Sequence, residues 1–138
     1  MFLCYTSITE VFLVRVAVIG SRGLEVKNLG DFLPEDTTEI VSGGARGVDT
    51  SARNYSNSNG IKLTEFLPDY NSYGRRAPLV RNIDIINYSD LVLAFWDGTS
   101  RGTAFVITNC KKSGTPVRIY KYYDGEYHLI PEQYDMEI

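Results

Sequence analysis

The sequence predicts an α/β protein: one doubly wound, mostly parallel sheet that closes on a C-terminal β-hairpin at its edge. Three observations predict it. Apolar, β-branched runs alternate with amphipathic stretches at the spacing of strands separated by helices. The run "VRVAVIG" (14–20) is almost continuously apolar, as a strand covered on both faces of a parallel sheet must be. With 138 residues the chain can build one sizeable core and is too short for two ordinary ones, and no internal repeat or low-complexity tract divides it.

Taken in order, residues 1–13 are expected as an N-terminal extension or an extra edge strand. The apolar patches "MFLCY" and "VFLVRVAVI" lack a basic leader and a small-residue cleavage site, and Glu10 and Arg15 interrupt them. Neither a signal peptide nor a membrane span fits, so a cytoplasmic protein is the default expectation. The domain proper is expected over 14–130. After the first strand, Leu29, Phe32 and Leu33 of "GLEVKNLGDFLP" (23–34) share a face and Pro34 ends the stretch, which predicts a helix. "TEIVSGG" (38–44) reads as the second strand. Val48, Ala52 and Tyr55 recur at helical spacing, with Asn59 and Gly60 as the stop. "IKLTEFLP" (61–68) supplies the third strand, and "YNSYGRRAPLVRN" (70–82) a loop running into a helix. That helix opens on Pro78, a favourable first-turn residue, and carries Leu79, Ile83 and Ile86 as its apolar stripe.

"LVLAFWDG" (91–98) is the fourth strand. "SRGTAFVITNCKKSGTP" (100–116) predicts a helix with Phe105, Val106 and Thr108 on it, a lysine-rich last turn, and Gly114 and Pro116 as stop signals. In "VRIYKYYDGEYHLI" (117–130) the pair Asp124–Gly125 between alternating aromatic and polar residues predicts a hairpin, hence an antiparallel edge strand. The acidic tail 131–138 is expected to be a short cap or disordered.

Charge and cysteines narrow the function. The 14 Lys+Arg against 17 Asp+Glu give a net charge of −3, so no overall basic field draws the protein to nucleic acid or an anionic membrane. An anion site has to be local. Cys4 and Cys110 show no metal-ligand or disulfide-framework spacing, and free buried thiols in a reducing compartment are expected. The sole histidine, His128, belongs to the hairpin, and no nucleophile elbow, paired-carboxylate motif or metal cluster is legible. No metal is therefore expected.

Three glycine-bearing turns follow strands: "GSRG" with Gly20, Ser21 and Arg22; "SGGARGVD" with Ser42, Gly43, Gly44, Arg46, Gly47 and Asp49; and "WDGTSRGT" with Trp96, Asp97, Gly98, Ser100, Arg101, Gly102 and Thr103. In an open α/β sheet such turns share one edge, and the helices they open present free N–H groups and a positive dipole end to an anion. Each turn carries an arginine. Ser21, Ser42, Ser100 and Thr103 suit helix capping and phosphate contact alike. Asp49 either braces its own loop or accepts from a ribose or base, and Trp96 either stacks on a base or fills the core. The fingerprint G-x-G-x-x-G is missing, as is a Gly-Lys-Ser/Thr triplet, so neither conventional NAD binding nor a P-loop fits.

"VAVIGSRG", "SGGARGVD", the pair Arg81 and Asn82, and "AFWDGTSRGT", in this order, resemble the small single-domain members of the SLOG superfamily, specifically the YspA-type domain of unknown function. The resemblance runs from about Val14 to Tyr120. It implies a Rossmann-like three-layer fold and a nucleotide-related ligand at the glycine-rich edge, with Arg81 and Asn82 beside it. The 70–82 segment, with Tyr70, Tyr73, Arg75 and Arg76, is either a lid that supplies charge to a phosphate or a solvated basic loop, and the family pattern at Arg81 and Asn82 favours the lid. Relatives in the superfamily include the lonely-guy phosphoribohydrolases and the single-strand-binding DNA-processing protein A group. This chain keeps Gly102–Thr103 but has Ala104, Phe105, Val106 and Ile107 where the lonely-guy helix carries its glutamate. The leading expectation is thus a binding or sensing domain for a nucleotide or nucleotide derivative, its phosphate held by the N–H groups of Gly43, Gly44, Gly102 and Thr103 and by Arg46 and Arg101. A nucleotide hydrolase or phosphoribohydrolase and a single-stranded nucleic-acid binder are the alternatives, and a homo-oligomer stays open.

Overall fold

The computed structural model describes residues 13–131. The expectations for an N-terminal extension or edge strand, for Cys4 and for the acidic tail fall almost wholly outside them. The fold is α/β and Rossmann-like: a six-stranded sheet in the order β3-β2-β1-β4-β5-β6. The strands are β1 (Arg15–Gly20), β2 (Glu39–Ser42), β3 (Lys62–Glu65), β4 (Leu91–Trp96), β5 (Val117–Tyr123) and β6 (Glu126–Leu129). All neighbours are parallel except β5 and β6, which pair antiparallel from Tyr120↔Leu129 to Tyr123↔Glu126. The predicted hairpin turn is there, with Asp124 and Gly125 at φ 53° and 74°, the pair of positive values that a two-residue turn matching strand twist requires.

Side chains alternate strictly across the sheet, which is what assigns each helix its face. Ala17, Ile19, Val92 and Ala94 point to the layer made by α3 (Ala77–Tyr88) and α4 (Arg101–Ser113), where they meet Ile85, Ile86, Val106, Ile107 and Cys110. Val16, Val18, Leu93 and Phe95 point the other way, to Val48 and Ala52 of α1 (Val48–Asn59) and to Val26 and Leu29. The sheet is therefore buried on both sides, and its β-branched runs follow from that.

Three helices lie where expected, with Gly60 and Gly114 as left-handed C-terminal residues of α1 and α4. Phe105, Val106 and Thr108 all lie in α4, which buries Thr103, Val106, Ile107 and Cys110 and leaves Thr108 exposed. One face is corrected in detail. Leu79 is 40% exposed, leaving Ile85 and Ile86 to anchor α3. The helix expected over 23–34 shrinks to one 3-10 turn, Leu29–Asp31. The reason is local: the Val26 N–H donates to Ser51 Oγ (2.9 Å), and Phe32 turns inward to meet Phe95 and Tyr120 edge-on at 5.2 and 4.9 Å. Continuing the helix would break those contacts. The segment before α3 holds a four-residue helical turn α2 (Tyr70–Tyr73) and a 3-10 turn Gly74–Arg76.

At the opposite ends of the strands, Glu39 is buried and accepts from Thr64 Oγ1 and Tyr88 Oη, both at 2.6 Å, with Lys62 and Arg15 nearby at 3.6 and 4.0 Å. Burial pushes its carboxyl up, and the two hydroxyl donors with the two cations outweigh this and hold it below the usual range.

Candidate functional site

Chain order sets the location. From β1 the sheet extends one way through β2 and β3 and the other way through β4 and β5, so the reversal lies between β1 and β4. The crevice outside the strand ends at such a reversal is where α/β sheets bind ligands. A cavity of about 430 Å³ opens there, within the range of small-molecule sites. All three glycine-bearing turns reach it.

The first turn contributes Gly20, Ser21 and Arg22 to the lining. The second contributes Gly43 and Asp49, and the third Asp97, Ser100, Gly102 and Thr103, with Arg81 and Asn82 arriving from α3. Ser42, Gly44, Arg46, Gly47, Trp96, Gly98 and Arg101 lie outside the lining. Arg46 and Arg101 are exposed. Ser42 is buried beneath the turn, Gly44 lies against Leu67, and Gly98 lies against the Lys121 side chain. Trp96 resolves toward the core reading, because it packs on the α3/α4 cluster and its indole N–H donates to the Ser100 carbonyl (3.1 Å). Tyr70 and Tyr73 are exposed and do not line the cavity.

Gly47 closes the second turn onto the first. Its φ is 77°, and a Cβ there would strike the Arg22 backbone, so only glycine admits this approach. The turn then spends two of its amides internally, that of Gly44, expected to face a ligand, among them. Ala45 N–H donates to Asp49 Oδ2 (3.0 Å) and Gly44 N–H to Ser42 Oγ (3.4 Å). Burial pushes the Asp49 carboxyl above its ordinary value, against the pull of the Ala45 amide, the Arg81 charge and the Ser42 hydroxyl. Gly43 is pinned from both sides: a Cβ would fall 2.6 Å from Arg81 Nη1 and 3.1 Å from Asp49 Oδ2.

The third turn behaves differently. Asp97 Oδ1 accepts from Thr99 N (2.9 Å) and Ser100 N (2.8 Å), capping α4 from just outside. Slight burial raises this carboxyl, and those two amides, with the Thr99 and Ser21 hydroxyls, pull it below its ordinary range. The amides of the next three residues, in the first turn of α4, have no carbonyl within the helix to meet. Gly102 borders open space. Ser21, Ser100 and Thr103 form a hydroxyl chain on this wall, Ser21 Oγ to Ser100 Oγ at 3.0 Å and Ser100 Oγ donating to Thr103 Oγ1 at 2.9 Å. The Thr103 proton is left for another acceptor.

Arg81 ties the site together and is its one deeply buried cation. It is 9% exposed, Nη1 donates to the carbonyls of Gly43 (2.6 Å) and Phe66 (3.3 Å), and Nε donates to Asn82 Oδ1 (2.9 Å). Its second terminal nitrogen, Nη2, has no hydrogen-bond partner among the described residues and is not sealed from the surface. Arg22 is close enough to oppose its charge.

Sequence reasoning missed the apolar wall: Ile19, Pro78, Leu79, Ile85 and Val106, together with Gly23 and Ala45. The signal for Pro78 and Leu79 was their place at the start of the helix that follows the 70–76 segment. Among the described residues no three His, Cys, Asp or Glu side chains group closely enough to hold a metal ion. None of the helices among them is long and apolar enough to cross a membrane. Comparison of the chain with protein-family models, with curated proteins and with solved structures finds no match.

Proposed function

We propose that the cavity binds a phosphate-bearing small molecule, a nucleotide or nucleotide derivative, and that the protein is a binding or sensing module for it. One observation carries the reading: a nine-tenths buried arginine lines the cavity with one guanidinium nitrogen unpartnered. A mostly buried cation that keeps one donor open to the cavity is completed best by an anion, through a charge-assisted hydrogen bond. Arg22, the Thr103 hydroxyl and the first turn of α4 supply further donors on the same cavity. The apolar wall offers Pro78 and Leu79 to the face of a ring. Arg22 and Arg81 thus replace Arg46 and Arg101 in the expected role. The single-stranded nucleic-acid alternative loses Trp96 as a stacking platform.

The test is a thermal-shift panel of nucleoside mono- and diphosphates and inorganic phosphate. A compound that binds only the folded state raises the melting temperature by mass action. A shift that the variant Thr103→Val diminishes is the expected result. No shift with any phosphate compound at millimolar concentration overturns the reading.

A further inference from the structure

The stretch 23–34 forms one 3-10 turn where a helix is expected, so it covers the outer part of its sheet face incompletely. Another cavity, of about 560 Å³ against 430 Å³ for the crevice, lies between this loop and the β5–β6 hairpin. The two linings share Gly23 alone.

The hairpin cavity has an aromatic floor. Tyr122 and Tyr127 are register partners, so strand alternation puts both on the face toward the loop, and their rings meet at 4.9 Å and 57°. Phe32 comes from the loop itself, its ring 6.1 Å from that of Tyr127 and inclined at 84°. All three residues line the cavity. Planes inclined in this way make a corner and not a slot. A flat group stacks on one wall of a corner, whereas a rounded one meets more than one ring at once.

The rim is acidic on both sides. Glu25 lines the cavity from the loop and Glu126 from the hairpin, with Lys27 as the one cation between them. Lys27 Nζ stands 4.0 Å from Glu25 Oε1 with the two side chains 86% and 69% exposed, a contact that water screens. Glu126 joins no ion pair among the described residues. Ring faces carry the negative part of the aromatic quadrupole, so a cation seated here is attracted by the rings and by the carboxylate together. Neither attraction needs an N–H. A methylated ammonium therefore gains both, without the tight hydration that a bare ammonium must shed.

We propose that this hairpin cavity is a binding site for a methylated ammonium group, seated in the corner of Phe32, Tyr122 and Tyr127 with Glu126 at its rim. A free compound such as choline and a methylated lysine side chain carry the same recognised chemistry.

The experiment follows backbone amide NMR shifts of the wild-type protein during titration at matched ionic strength. The probes are choline, its uncharged isostere with carbon in place of nitrogen, guanidinium and N-acetyl-trimethyllysine amide. Choline is expected to shift amides of 23–28 and 122–127 and to bind about fivefold or more tightly than the isostere, the scale of a cation–π contribution. Tyr122→Leu and Glu126→Gln are each expected to weaken choline about two- to fivefold, and Lys27→Ala to strengthen it. Tyr122 and Glu126 are exposed, so these variants keep the fold, and the isostere comparison needs the wild-type protein alone. Tighter binding of the trimethyllysine compound assigns the group to a protein side chain and tighter binding of choline to a free small molecule; both support the site. Absence of shifts at both walls, equal binding of choline and its isostere, or stronger binding of guanidinium overturns it. No phosphate enters these measurements, so the outcome is independent of the anion site.

Discussion

At the scale of single residues, the site is a balance between carboxylates pushed in opposite directions. Asp49 is raised by burial and Asp97 is lowered by the backbone amides it accepts from, although both stand near the start of a helix that follows a strand. For Asp49 the folded state holds the proton more firmly than the unfolded chain. Its ionisation therefore costs stability as pH rises through the window above the ordinary aspartate range, and acidification restores it. Asn cannot ionise. The stability advantage of Asp49→Asn over wild type should thus be largest near neutrality and shrink as pH falls toward the ordinary aspartate range, which urea melts at several pH values would check. A gap unchanged with pH would contradict the raised carboxyl. The lowered carboxyls of Asp97 and Glu39 are present in both proteins and cancel. Much at this scale was illegible in the sequence. Arg81 and Asn82 entered only through a family likeness, because nothing in an amphipathic helix says that one arginine on its inner side will reach across to two carbonyls. Arg46 and Arg101 were chosen for proximity to glycine in the chain, yet both turn to solvent; spacing alone does not tell which way a loop side chain points.

At the scale of elements, local signals that agreed with one another were reliable. Asp-Gly between alternating residues gave the hairpin, and glycine after a lysine-rich turn gave the end of α4. The stretch 23–34 had the apolar face of a helix but no cap, since the Asn28 side chain makes no capping bond. Tertiary contacts of Val26 and Phe32 then decided its course. Buried Glu39 shows the same limit, because in the sequence it is a polar residue at the start of a strand and only the fold brings Thr64 and Tyr88 to it. The third turn is the element on which the site depends most. Asp97→Ala removes the acceptor for the Thr99 and Ser100 amides, and a loss of about 1 kcal/mol is expected, typical of a deleted helix cap. It should appear in chemical denaturation as a lower midpoint with an unchanged slope. If stability is unaffected, the α4 turn is held by other means.

At the scale of the whole molecule, the strand order makes the site. The sequence pointed to a parallel sheet with glycine turns at one rim, and this is enough to bring three distant segments together once β1 is placed between β2 and β4. What it did not supply was the covering wall from α3, which exists only because that helix crosses back over the β1–β4 gap. Opposite that wall, the last strand does more than finish the sheet. Tyr127 packs edge-on against Phe95 at 5.2 Å, and its Oη donates to the Glu25 carbonyl at 2.7 Å, three residues beyond Arg22. Burial, then Tyr122 and Glu25, pushes its phenol up to about 12, so the donor persists well into alkaline solution. The hairpin is accordingly a remote buttress. Loosen it with Tyr127→Phe, and the stretch bearing Arg22 should exchange its amide hydrogens faster while β1 and β4 keep theirs; a mouth some distance from the edit would slacken although nothing in it had been altered.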